Sequence, residues 1–193
     1  MQMKLLYINA CIRDESRTNR LARFLIDQIV KMDDIVEEVK LDEKHLHPLD
    51  REALKERSLL LFQDVIDHPV FEAAHQFAQA DQIIISAPYY DLSFPSLLKV
   101  YLENICVASI TYDYHRDGSS YGLCKATKLY YVTTAGSRIL DDTYGYGYIK
   151  ALCTQMFGIQ QTYEIKVDCL DMVDTDTNAL LEKAKDDILR LFK

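Results

Sequence analysis

The fold turns on the stretch Gln82-Ile83-Ile84-Ile85-Ser86-Ala87-Pro88-Tyr89-Tyr90-Asp91-Leu92-Ser93-Phe94-Pro95-Ser96-Leu97-Leu98-Lys99-Val100-Tyr101. Ile83, Ile84 and Ile85 form a short, continuous, β-branched apolar run. Such a run suits a strand buried on both faces, as in a parallel sheet. Pro88 ends the strand, because it has no N–H for a ladder. Ser93 is placed to cap a following helix, and Pro95 is tolerated in its unsatisfied first turn. Leu97, Leu98, Tyr101, Leu102 and Ile105 recur at helical spacing and give that helix a core-facing side. Tyr89, Tyr90 and Asp91 lie between strand and helix. In an open α/β sheet, ligands bind beyond the carboxyl ends of the strands. The aromatic loop therefore either lies against a flat ligand or covers the rim of the sheet.

The same grammar extends in both directions. Residues 3–9 read as a strand, 10–16 as a polar loop and 17–32 as a helix with Leu21, Phe24, Leu25 and Ile29 on one face. An outer strand follows over 35–41, then a loop with His45, His47 and Pro48, then helical runs over 52–66 and from Pro69 to about residue 80. Beyond the central stretch, 110–114 reads as a small extra strand closed by the turn signal Asp117-Gly118. Residues 129–134 form the next strand, and 149–157 a helix stopped by Gly158. Strand 161–167 and helix 177–192 complete the chain. Strands alternating with helices imply a parallel sheet covered on both faces. No internal repeat or linker interrupts the pattern. The chain reads as a single α/β flavodoxin-like domain over 1–193, a three-layer sandwich whose five-stranded parallel sheet has the order 2-1-3-4-5.

Composition narrows the function classes. Apolar residues at 49% and charged residues at 27% describe a globular chain rather than a disordered one. A net charge of −8 argues against a phosphate-backbone footprint, so no nucleic acid partner is expected. The amino terminus passes directly into strand-like sequence, and no run is long enough to span a bilayer. The expectation is a cytoplasmic protein. Cys11, Cys106, Cys124, Cys153 and Cys169 are odd in number and lack metal-ligand spacing, so they read as reduced packing thiols with no metal site. Cys11 stands apart because it falls in a candidate ligand loop.

Three loops offer complementary chemistry. The first, 10–19, contains no G-x-G-x-x-G and no Walker pattern, which disfavours a Rossmann dinucleotide loop and a P-loop. It places Ser16, Arg17, Thr18 and Asn19 at a helix start, with Arg13 nearby. There, free N–H groups and the helix dipole favour a phosphate. The second is Pro88, Tyr89, Tyr90, Asp91 and Leu92. The third is Thr133-Thr134-Ala135-Gly136-Ser137, whose small residues allow a ligand close to backbone N–H groups. A flat ring with a phosphorylated tail, such as FMN, fits all three.

These loops are similar to those of the FMN-dependent NADH-azoreductase and NAD(P)H:quinone oxidoreductase family. The family's phosphate loop is matched by Ser16, Arg17, Thr18 and Asn19. Its flavin-edge loop is matched by Pro88 to Leu92, followed by Pro95 and the pair Leu98-Lys99. Its Thr-Thr-Gly-Gly or Thr-Ser-Arg-Gly-Gly loop is matched by Thr133, Thr134, Ala135, Gly136 and Ser137, and its aromatic hairpin by Tyr112-Asp113-Tyr114 with Gly118. The resemblance implies FMN as cofactor, NADH or NADPH as electron donor, and a quinone, azo or similar small aromatic acceptor. It implies no protein nucleophile, since the flavin carries the chemistry. It also implies a homodimer with active sites at the interface, where Tyr112 and Tyr114 line the substrate space; Tyr144, a further tyrosine able to cover the site, is a candidate for the same role. The alternative is a flavodoxin-like electron carrier or a scaffold that binds flavin without turnover. The sequence departs from the family at Asp91, Leu92, Ala135, Ser137 and Ala10, and these positions bear on flavin affinity and donor preference.

Overall fold

The computed structural model describes residues 2–192. Its strands are β1 (Lys4–Asn9), β2 (Ile35–Lys40), β3 (Gln82–Ser86), β4 (Tyr112–Tyr114), β5 (Ser120–Gly122), β6 (Lys128–Thr134) and β7 (Gln161–Val167). The helices are α1 (Arg17–Ile29), α2 (Arg51–Phe62), α3 (Glu72–Gln79), α4 (Ser96–Ile105), α5 (Tyr148–Leu152) and α6 (Thr177–Arg190). Five strands pair in the order β2-β1-β3-β6-β7, all parallel, and β4-β5 is a separate antiparallel hairpin. With the hairpin set aside, this is the 2-1-3-4-5 order expected from sequence.

The period-2 geometry of a strand sorts the apolar runs into two cores. Leu6, Ile8, Ile83, Ile85, Leu129 and Tyr131 face α3, α4 and α5. Leu5, Tyr7, Ile84, Tyr130 and Val132 face α1 and α6. Each fully buried Leu or Ile contributes about 1.5–3 kcal/mol, so three strands buried on both sides dominate the fold. By contrast, β2 is an edge strand with Ile35 and Val36 partly exposed.

Several boundaries differ from the sequence reading. Helix α1 ends at Ile29, not 32, because Val30 turns extended (ψ 136°) and the Asp34 carboxylate accepts the N–H groups of Lys31 and Met3, each at 2.9 Å. Those two bonds hold the Asp34 carboxyl below its ordinary range. Helix α4 begins at Ser96 with Pro95 as its cap residue. Ser93 makes no cap, because its hydroxyl instead donates to the Tyr144 carbonyl at 2.6 Å. The helix expected from 149 starts earlier, with π-helical turns Thr143–Gly147 and Cys153–Phe157 flanking α5. α2 ends at Phe62 rather than 66 and buries only Arg57, which donates to the carbonyls of Glu103 and Cys106 at the end of α4.

The hairpin is fixed by two glycines. Gly158 is left-handed (φ +77°) and ends the 143–157 helical segment, as the sequence implied. A Cβ on Gly122 of β5 would overlap the backbone of Phe157 and Gly158, so the two segments touch main chain to main chain. Gly122→Ala is therefore expected to lower stability by about 1–3 kcal/mol through overpacking. Urea unfolding measures it, and a midpoint equal to the parent's would contradict the close approach.

Candidate functional site

The loops after β1, β3 and β6 converge on one crevice of about 370 Å³ at the carboxyl end of the sheet. That volume lies within the range of small-molecule sites. Cys11, Arg13, Ser16, Arg17 and Thr18 form one wall, Pro88, Tyr89 and Tyr90 a second, and Thr134, Ala135 and Gly136 a third. Parallel pairing ends these strands side by side, so their following loops share one rim.

The start of α1 shapes the first wall. Ser16 is the N-cap, and its Oγ accepts the Asn19 N–H at 3.1 Å. The first turn itself carries no acidic residue, and its positive dipole end favours an anion. Among the described residues, the N–H groups of Arg17 and Thr18 have no partner. The Thr18 and Thr134 hydroxyls pair at 2.7 Å, in a buried contact that joins the first wall to the third. In the third loop, the Ala135 N–H is held by the Val167 carbonyl at 2.9 Å, while those of Gly136 and Ser137 are unpaired among the described residues.

A polar layer underlies the crevice. The Tyr7 hydroxyl donates to Asn19 Oδ1 at 2.7 Å and lies 2.8 Å from Ser86 Oγ. Asn9 Oδ1 accepts from the Cys11 N–H at 3.0 Å and from Ser86 Oγ at 3.3 Å. Burial raises the Tyr7 phenol and the Cys11 thiol above their ordinary pKa values, so both stay neutral donors at neutral pH.

The Tyr89–Ser93 segment forms the second wall. Tyr90 and Ser93 exchange backbone hydrogen bonds at 3.0 and 2.8 Å around a two-residue turn. Asp91 (φ +51°) and Leu92 (φ +66°) are both left-handed, a conformation that costs about 1–2 kcal/mol per residue bearing a Cβ. The turn is braced from behind: the Tyr89 N–H donates to the Thr134 carbonyl at 3.0 Å and its hydroxyl to the Asp141 carbonyl at 2.9 Å.

The structure thus gathers Ser16, Arg17, Thr18, Pro88, Tyr89, Tyr90, Thr134, Ala135 and Gly136. It does not bring every expected residue to the crevice. The Asn19 amide turns inward to Tyr7. Asp91 and Leu92 sit exposed on the turn beyond the rim, and Ser137 lies outside the lining. The Arg13 guanidinium lies over the Tyr90 ring, 5.7 Å from its centroid. Tyr112 and Tyr144 line two other grooves, both bordered by Tyr148, and Tyr114 is exposed with its ring edge-on to Tyr112. The sequence reading missed Asp171, which enters the crevice from the loop after β7. That loop also follows a parallel strand, and its position alone was the available signal. Among the described residues no helix is long and apolar enough to cross a membrane, and no group of three His, Cys, Asp or Glu could hold a metal ion.

Comparison with known proteins yields a consistent set. A family model described as flavodoxin-like fold matches residues 3–191. The chain is 32% identical to FMN-dependent NADH:quinone oxidoreductase 2 of Clostridium acetobutylicum, covering 95% of this chain and 96% of that protein. It is 29% identical to the FMN-dependent NADH:quinone oxidoreductase of Coprothermobacter proteolyticus, covering 98% of each. Its fold is similar to an FMN-dependent NADH-azoreductase of Bacillus anthracis in complex with FMN, with a TM-score of 0.80, 20% identity and 100% of both chains covered.

The buried Thr18–Thr134 contact is open to direct test. Thr18→Val leaves the Thr134 hydroxyl without its partner and is expected to destabilise the fold by about 1–3 kcal/mol. Adding Thr134→Val should restore part of that loss, since both partners are then apolar. Strictly additive losses in a thermal or urea double-mutant cycle would exclude the coupling.

Proposed function

This chain belongs to the flavodoxin-like fold family, and within it we propose an FMN-dependent NAD(P)H oxidoreductase that reduces quinone, azo or similar small aromatic acceptors. The carrying observation is the single crevice built from three loops, with anion-binding chemistry at one wall and aromatic rings at another. The relatives at 32% and 29% identity are enzymes of this kind over essentially their full length. The same reading takes residues 1–193 as one domain in the cytoplasm; the sheet with its two cores reaches from Lys4 to Arg190, and all five cysteines are free thiols.

The residues present fit FMN. The start of α1 offers two unpaired N–H groups, the Ser16 hydroxyl hydrogen and the Arg17 guanidinium to a phosphate. Pro88, Tyr89 and Tyr90 supply the wall for a flat ring, with Asp91 and Leu92 on the exposed turn beyond it. Gly136 leaves room for the Asp171 carboxylate at the third wall, and the Gly136 N–H is the available donor there for negative charge. Bound FMN would supply the redox chemistry between NADH or NADPH and the acceptor. The protein orients the ring, holds the phosphate and keeps the neighbouring Cys11 and Tyr7 uncharged. Asn19 acts from beneath, fixing the first turn of α1 through Tyr7.

A homodimer with its active sites at the interface belongs to the same reading. The grooves around Phe94, Tyr144 and Tyr148 and around Leu54, Tyr112 and Met156 share Tyr148 and Lys99, giving one extended apolar face beside the crevice. Aromatic residues are enriched at interface cores, and a second copy seated there would bring Tyr112, Tyr114 and Tyr144 towards substrate. An electron carrier needs its flavin accessible to a docking partner, so a site covered by a second copy would favour the enzyme.

Purified protein mixed with FMN is expected to turn yellow and to bleach with NADH or NADPH, regaining colour when a quinone is added. Binding of FMN without bleaching would leave the carrier or scaffold, and no binding at all would remove the flavin assignment. Sedimentation velocity at micromolar concentration should give a dimer, and a monomer at every concentration would defeat the shared-site arrangement.

A further inference from the structure

The loop after β7 reaches the crevice through three backbone contacts. The N–H groups of Cys169, Leu170 and Asp171 donate to the carbonyls of Ser137, Ala135 and Gly136 at 3.1, 3.1 and 2.9 Å. The register places the Asp171 side chain against Gly136, where a Cβ would overlap its carboxylate. Asp171 Oδ1 then accepts from Arg17 Nη1 at 2.6 Å. Arg17 is the first residue of α1, beside the unpaired N–H groups that open the helix. The guanidinium best placed for a ligand phosphate is therefore already held by a carboxylate of the protein.

We infer that Asp171 is a specificity-determining residue of the crevice: an internal anion that competes with the ligand's phosphate for Arg17 and tempers the preference for phosphorylated over unphosphorylated flavin. This inference rests on the FMN reading and deepens it. A phosphate dianion arriving at the start of α1 meets a carboxylate on the same guanidinium, so the two anions must share Arg17 or Asp171 must withdraw. Both partners are more than a third exposed, and such pairs are worth little in themselves. The larger effect is like-charge repulsion, which salt screens. Charge balance points the same way. The charged residues lining the crevice are Arg13, Arg17, Glu15 and Asp171, so its formal charge is zero with Asp171 ionised and becomes positive once that carboxylate is removed. The Gly136 contact allows the carboxylate to sit this close, since any side chain there would displace it.

The test compares FMN with riboflavin, which lacks the phosphate, by flavin-fluorescence titration of the full chain freed of bound flavin. Asp171→Asn is expected to tighten FMN by about three- to tenfold at low salt, with riboflavin affinity changed less than about twofold. The gain should shrink as salt is added. In an Arg17→Ala background the repulsion between the two anions remains, so Asp171→Asn should still tighten FMN, but by less than in the parent because the competition for the guanidinium is gone. Unchanged FMN affinity in Asp171→Asn, or equal tightening of both flavins, would overturn the inference while leaving FMN as cofactor. Failure of the unaltered chain to bind either flavin would instead overturn the FMN reading, and this inference with it.

Discussion

Burial of both faces of β1, β3 and β6 is the constraint on which the rest depends. Every residue from Leu5 to Ile8 is at most 1% exposed, and Ile83 to Ile85 are fully buried. Strands enclosed in this way leave no lateral surface for polar chemistry. Their carboxyl ends are the first places where the chain meets solvent, so the polar residues of Asn9 to Thr18, Pro88 to Asp91 and Thr133 to Ser137 collect there. The position of the crevice follows from the hydrophobic layers beneath it.

The same burial favours pairing of polar groups just inside the rim, with the Tyr131 and Thr133 hydroxyls the unpaired exceptions there among the described residues. Tyr7, Asn9, Asn19 and Ser86 satisfy one another, and Thr18 and Thr134 do the same across the crevice floor. These contacts tie β1, β3, β6 and α1 into one rigid base. They also take polar side chains out of ligand binding. What remains facing the crevice is largely backbone N–H at the start of α1 and after β6, together with arginine and aromatic side chains. A site of that kind binds by fixed dipoles and flat surfaces, which suits a cofactor that brings its own chemistry.

Local strain is held in place by distant contacts. The left-handed turn at Asp91 and Leu92 is braced by Thr134 on one side and by the carbonyls of Asp141 and Tyr144 on the other. Those carbonyls come from the segment that enters the π-helical turn Thr143–Gly147. The wall that carries Tyr89 and Tyr90 is thus coupled to the segment that carries Tyr144. Movement of either would be felt by the other through Tyr89 and Ser93.

The sequence by itself determined the layers, the strand order and the loops that meet. Its apolar runs carry the period of buried strands, and the amphipathic helices between them leave one economical topology. It also determined which loops contain anion-binding and aromatic groups, because composition at strand ends is local information. Tertiary structure alone decided what each side chain in those loops faces. Asn19 was legible as a polar residue at a helix start, but only the position of Tyr7 on a neighbouring strand turns its amide inward. Ser93 was legible as a cap, yet the carbonyl of Tyr144, far along the chain, claims its hydroxyl. Asp171 lies 154 residues from Arg17, and no local pattern records that pairing. A hydrogen bond or ion pair depends on the meeting of two atoms in space, whereas strand and helix periodicity depends on neighbours along the chain. The first is therefore set by the packed fold and the second is written in the sequence.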